Sequence, residues 1–239
     1  MQPTVDDFQA LARSSPWRWT TLHFTRHVGA GRVEAWVRRP GELVVRMPNR
    51  PDEYVSGVPY ASSPALGNLR EEAGLPEPPG PTFRPDGLVA ERPEGYAFEH
   101  GDPMWENYTW TAMLDPDELS HHVAVDDVRN DARSGREAWV ARLRPEEGYE
   151  PRCGCCPLLW SEISVRGEYG REPERLARFK AEGYPHAYDV ALDAQTGVVV
   201  ALEPVGGPGL VEGFTLTIHE VDADLDAVFA SRENAEQMD

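Results

Sequence analysis

The chain has 239 residues, 40% of them hydrophobic, and its seven Trp, eight Tyr and seven Phe supply bulk for a sizeable core, which excludes global disorder. A formal net charge of -18, from 23 basic and 41 acidic residues, argues against nucleic acid or an anionic membrane surface as the partner. The longest apolar run, Val198 to Leu202, is far below the ~20 residues that cross a bilayer, and the opening Met1-Gln-Pro-Thr-Val-Asp-Asp7 lacks basic and apolar signal regions, so the expectation is a cytoplasmic protein without a transmembrane segment.

Thr4 followed by Asp7, with Val5, Phe8, Leu11 and Ala12 on one face, predicts a capped amphipathic helix over about residues 4–13, stopped by Pro16. From Trp17 the apolar period switches to two: Leu22 and Phe24 face one way, Trp19, Thr21, His23 and Thr25 the other. Gly29-Ala30-Gly31 and then Pro40-Gly41 turn the chain through Val33, Ala35 and Val37 into Leu43, Val45 and Met47, an antiparallel meander of three strands. Residues 11–50 hold eight arginines against Glu34 and Glu42, either a patch for an anion or acidic partner or, the favoured reading, outward strand positions matched by acidic neighbours elsewhere.

Residues 59–93 contain eight of the 22 prolines and no apolar period, which predicts an extended excursion. Met104, Trp105, Tyr108, Trp110 and Met113 crowd the next stretch, expected to be buried on several sides. Asp115-Pro116-Asp117-Glu118-Leu119 reads as the start of a short helix with Asp115 as N-cap. Strands are expected near 123–130, 137–144 and 158–168, then, after a polar and partly helical insertion from Glu172 to Gly183, near 186–192, 197–204 and 212–221, with a hairpin at Asp193-Ala-Gln-Thr-Gly197. One domain over 1–230 and a frayed tail over 231–239 complete the expected organisation.

Trp19-Thr-Thr-Leu-His-Phe-Thr-Arg26, a glycine turn and Val33-Glu-Ala-Trp-Val-Arg-Arg-Pro-Gly-Glu-Leu43 resemble the opening of LolA-like proteins, the lipoprotein carriers and their RseB-type relatives. Met113-Leu-Asp-Pro-Asp-Glu-Leu119, Gly135-Arg-Glu-Ala-Trp-Val140 and Tyr188-Asp-Val-Ala-Leu-Asp-Ala-Gln-Thr-Gly-Val-Val-Val200 are similar to later strands of actinobacterial members. The resemblance implies an α+β fold: a strongly curved antiparallel β-sheet of about nine to eleven strands, an unclosed barrel whose concave face is plugged by short helices and, in carriers, receives acyl chains. It implies a non-catalytic binding or regulatory protein for a hydrophobic small molecule or a protein partner, with Trp36, Trp105, Tyr108 and Trp110 as candidate ligand-binding residues; packed interior is the competing and favoured reading of the same aromatics.

The chain's three cysteines, Cys153, Cys155 and Cys156, lie within four positions, a spacing that closes no useful disulfide loop. Three readings stand beside one another. The thiols could bind zinc or copper(I), with His122 or His121 completing a zinc site. They could act as a redox sensor, with Arg152 lowering the pKa of Cys153. Or they could pack as small apolar groups beside Leu158, Leu159 and Trp160. No nucleophile elbow, metalloprotease motif, phosphate loop or dinucleotide fingerprint occurs, and the carboxylates Asp115, Asp117, Asp126 and Asp127 read as caps and solvent-face residues.

Overall fold

The computed structural model describes residues 2–56, 80–93, 102–208 and 211–230. Helix α1 (Val5–Ala12) begins at the expected capping box: the Thr4 hydroxyl accepts from the Asp7 N–H at 3.2 Å, and the Asp7 carboxylate accepts from the Thr4 N–H at 2.8 Å. The helix buries Phe8, Ala10, Leu11 and Ala12.

The two-residue alternation that follows builds β1 (Thr21–Val28), β2 (Gly31–Arg38) and β3 (Glu42–Arg46), and a short β4 (Glu53–Ser56) extends the meander by a fourth strand. A second meander comprises β7 (Val123–Arg133), β8 (Arg136–Pro145), β9 (Ala187–Asp193) and β10 (Val199–Val205). The last strand, β11 (Phe214–Val221), lies between them, giving one antiparallel sheet of nine strands in the order β4-β3-β2-β1-β11-β10-β9-β8-β7. It is curved and does not close into a barrel, and with its short helices it makes an α+β fold, as the resemblance implies.

The core occupies the concave face, where Leu22, Phe24, Val37, Leu43, Val190 and Leu216 meet α1 and α2 (Tyr108–Leu114). Each such side chain contributes roughly 1.5–3 kcal/mol on burial, and the bulkiest fully buried group is Trp110 of α2. A smaller cluster sits on the convex face, where a helical turn over 226–230 brings Phe229, preceded by Leu225, onto Trp36 and Val44.

Several expectations are corrected. Residues 158–168 do not form a strand: after a loop, α3 (Glu162–Tyr169) starts at a Ser161/Ser164 capping box, whose hydroxyl pattern prevails over the apolar run before it. It leads into α4 (Pro173–Glu182), the anticipated helical insertion. Residues 57–79, most of the proline-rich stretch, lie outside the described residues, but within it β5 (Thr82–Phe83) and β6 (Val89–Glu91) pair as a small separate hairpin with Leu88 and Val89 buried. The proposed tail over 231–239 also lies outside them. The stretch around α2 buries Trp105, Trp110 and Met113, as expected, while Met104 and Tyr108 are 45% and 44% exposed.

Candidate functional site

The geometry around the cysteines starts with Asp115-Pro-Asp-Glu-Leu119. Asp115 is not an N-cap: it is the C-cap of α2, its N–H donating to the Thr111 carbonyl, and the short 3-10 turn Asp117–Leu119 that follows has no side-chain cap. Its carboxylate, 1% exposed, accepts from Arg92 at 2.5 and 3.1 Å and from Arg152 at 2.8 Å. Burial pushes its pKa up, but the guanidinium groups of Arg92 and Arg152 outweigh that and hold the carboxyl well below the ordinary aspartate range. Arg39 repeats the arrangement nearby, its Nε and Nη2 donating to the buried Asp102 at 2.8 and 2.7 Å.

Glu118, also buried, fastens both ends of the cysteine loop. Its Oε2 accepts from the Arg152 N–H at 3.0 Å, while Oε1 accepts from the Leu158 N–H at 2.9 Å and the Tyr149 hydroxyl at 2.6 Å. The Tyr149 oxygen in turn accepts from the Leu159 N–H at 3.3 Å. Burial raises the pKa of Glu118 despite these donors, and burial together with Glu118 raises that of Tyr149. One carboxylate thus sets the separation between residues 152 and 158.

Between these anchors the loop presents all three sulfurs together. Cys153 Sγ lies 2.7 Å from Cys155 Sγ, Cys155 Sγ lies 3.7 Å from Cys156 Sγ, and the three fall within 4.8 Å of one another. They are free thiols, Cys155 exposed and the other two half-buried, so they are not the packed apolar groups that the third reading required. The adjoining Leu158 and Leu159 supply the packing instead. Gly154 is needed at its position, since a Cβ there would stand 2.6 Å from the Glu168 Cβ of α3. On the other side the Thr109 hydroxyl donates to the Cys156 carbonyl at 2.9 Å.

The thiols differ electrostatically. Burial works against ionisation of Cys153, yet hydrogen bonds from the Cys155 and Cys156 thiols and backbone N–H groups bring its pKa below the ordinary cysteine value. Cys155 is pushed up to about 12, chiefly by its hydrogen bond to Cys153, and burial raises Cys156. Arg152 is committed to Asp115, so the thiolate is favoured by its neighbours in the loop and not by the adjacent guanidinium.

The remaining sequence candidates fall apart in space. His122 stands outside the thiol group, its exposed ring laid against Gly148, where a Cβ would come within 2.9 Å of Nδ1. Trp105 and Trp110 meet edge to face at 5.1 Å in the core, with the Trp105 indole donating to Glu53 at 2.9 Å. Trp36 lies on the opposite, convex face, stacked on His23 at 4.7 Å. His23 is no surface residue: its ring nitrogens meet Glu34 at 3.0 Å and Glu220 at 3.1 Å, and its side chain is 17% exposed. Sequence reasoning missed Arg92, Glu118 and Tyr149, and took Asp115 for an N-cap. The only local signal was the density of carboxylates in the 115–118 stretch, because their partners arrive from 23 to 40 residues away.

No protein-family model and no curated protein matches the sequence. Among solved structures, MucB is similar at 13% identity and a TM-score of 0.31 over 90% of this chain and 58% of that one. The Pseudomonas aeruginosa MucA/MucB complex gives 14% and 0.33, and MucB with MucA(peri) gives 13% and 0.33, each over 92% of this chain and 58% of the other. The chain thus spans less than two thirds of the length of these proteins.

Proposed function

We propose that this chain is a non-catalytic binding or regulatory protein that takes a thiophilic metal ion at Cys153, Cys155 and Cys156. The observation that carries this reading is the convergence of three free thiols within 4.8 Å on a loop pinned at both ends by a buried carboxylate. Thiolates around one ion at ~2.3 Å stand about 3.8–4.0 Å apart. The 3.7 Å pair already matches that spacing, and the 2.7 Å pair must open by about 1 Å. Three sulfurs with no histidine or carboxylate in their group suit trigonal copper(I); zinc would draw its fourth ligand from solvent. The ion would displace the thiol protons.

Metal analysis and free-thiol titration on the reduced protein, with Cys155→Ser beside it, test this. One zinc or copper ion retained per wild-type chain, protection of all three thiols, and loss of both in the variant are expected. Three thiols that stay reactive with no ion retained would overturn the reading.

A second reading, an apolar small molecule or protein partner on the concave face, draws on the exposure of Met104 and Tyr108 beside the buried Trp105 and Trp110. Native mass spectrometry after incubation with a lipid extract tests it; absence of any bound species would sink it.

A further inference from the structure

The three sulfurs come from four consecutive positions of one short loop, so they approach a guest from one side. A turn brings them together: the Cys153 carbonyl accepts from the Cys156 N–H at 3.3 Å. Cys155, inside that turn, is exposed while Cys153 and Cys156 are half-buried, which gives the group a protein side and a solvent side. On the protein side the Tyr108 N–H donates to the Cys156 sulfur and the Thr109 hydroxyl to the Cys156 carbonyl. No histidine or carboxylate joins the group among the described residues.

Three donors by count alone admit copper(I), but a planar trigonal ion needs its ligands spread around a full circle, and tetrahedral zinc needs a fourth. The one-sided placement adds a second class of guest. Trivalent arsenic forms three bonds in a pyramid, its lone pair occupies the remaining direction, and as a soft acid it prefers thiolate to oxygen. Bonds of roughly 2.3 Å meeting near a right angle set sulfurs about 3.3 Å apart, whereas planar trigonal bonds of that length need about 4.0 Å. The smaller spacing lies between the two observed separations of 2.7 and 3.7 Å.

We propose that Cys153, Cys155 and Cys156 also form a receptor for a trivalent metalloid oxyacid, of which arsenous acid is the simplest member. The inference rests on the reading of the three thiols as one ligand set, and changes the guest. Binding is an exchange in which As(OH)3 and three thiols give As(S-Cys)3 and three waters. At each step one As–S bond forms, one As–O bond breaks, and the thiol proton leaves with the hydroxyl as water. Arsenic stays trivalent throughout, so neither oxidant nor reductant is consumed.

The test uses the whole reduced protein with arsenite and, separately, phenylarsine oxide, whose arsenic has one exchangeable position fewer. Native mass spectrometry and free-thiol counting are the readouts, with zinc and copper retention measured on the same preparation. Arsenite is expected to add one arsenic for three hydrogens lost and to protect all three thiols, while phenylarsine oxide protects two and leaves one reactive. Cys155→Ser should hold arsenite about a hundredfold or more weaker, the scale of one lost intramolecular contact. Arsenic attached through fewer than three thiols, or not at all, overturns the metalloid receptor, and zinc or copper retained in that protein leaves the metal-ion reading standing. Arsenic on three thiols with neither ion retained supports the receptor and overturns the metal-ion reading. If neither arsenic nor a metal ion is held, both fail. The comparison of the two arsenicals on the wild type needs no variant to fold.

Discussion

Beneath the thiol loop, buried charge is answered group by group: Asp115 by Arg92 and Arg152, Asp102 by Arg39, and Glu118 by two backbone amides and a tyrosine hydroxyl. On the concave face, Arg26 and the indole of Trp110 are answered by aromatic rings alone. The first arrangement spends its hydrogen-bonding capacity on the fold, so it fixes geometry and has none left for a ligand. The second retains capacity that the fold does not use.

The contrast is broken most directly at Asp115. Asp115→Ala takes from Arg92 and Arg152 the buried carboxylate they share and should cost about 3–5 kcal/mol, read from urea denaturation. Glu118→Gln comes next, at roughly 1–3 kcal/mol, because one amide oxygen must serve the donors that two carboxylate oxygens now satisfy. It should also speed alkylation of the thiols, measured by the rate of iodoacetamide labelling, since the loop ends are released.

The two carboxyls have opposite pH signatures. The Asp115 pKa is depressed, so its stabilisation is present above the ordinary 3.8 and is lost as pH falls toward the lower folded value. The Glu118 pKa is raised, so its contribution is present below the ordinary 4.5 and is lost as pH rises through the folded value. Denaturation midpoints should therefore fall less between about pH 4.5 and about pH 7 in Glu118→Gln than in the wild type.

Arg26→Met supplies the other arm. Replacing an unmatched cation on an apolar face by a flexible thioether should leave stability within about 1 kcal/mol of the wild type, or raise it. A loss as large as that of Asp115→Ala would erase the distinction between the regions. The smallest effect is expected at the surface: Arg46 and Asp52 pair at 2.7 Å but are 50% and 42% exposed, so Asp52→Ala should change stability by about 0.5 kcal/mol or less.

Much of the sheet was legible because period-two alternation is a local property, as in Val33, Ala35 and Val37 or Tyr188, Val190 and Leu192. The register that exposes Arg26 to the core could be read from the same pattern, since Leu22, Phe24, Arg26 and Val28 share one face. The expectation that the arginines of residues 11–50 find acidic partners holds for Arg38, Arg39 and Arg46 and fails for Arg26. Asp115 and Glu118 were illegible in role, because a capping carboxylate and a buried one look alike until tertiary contacts bring Arg92 and Arg152 to them. The thiol cluster was visible as spacing. Its electrostatic asymmetry was not, because it depends on loop conformation and not on the charge of the preceding residue.

The placement of β11 has a consequence for how the chain comes together. It is stitched to β1 through seven residue pairs but to β10 through only Ala201↔Thr215 and Leu202↔Phe214. Residues synthesised nearly 200 positions apart must find each other before the two meanders become one sheet, a connection of high contact order that completes late. The β10–β11 seam is also where the sheet has fewest rungs to break. Pulling force or hydrogen exchange should part the molecule there first, into one half that carries Arg26 and another that carries the thiols.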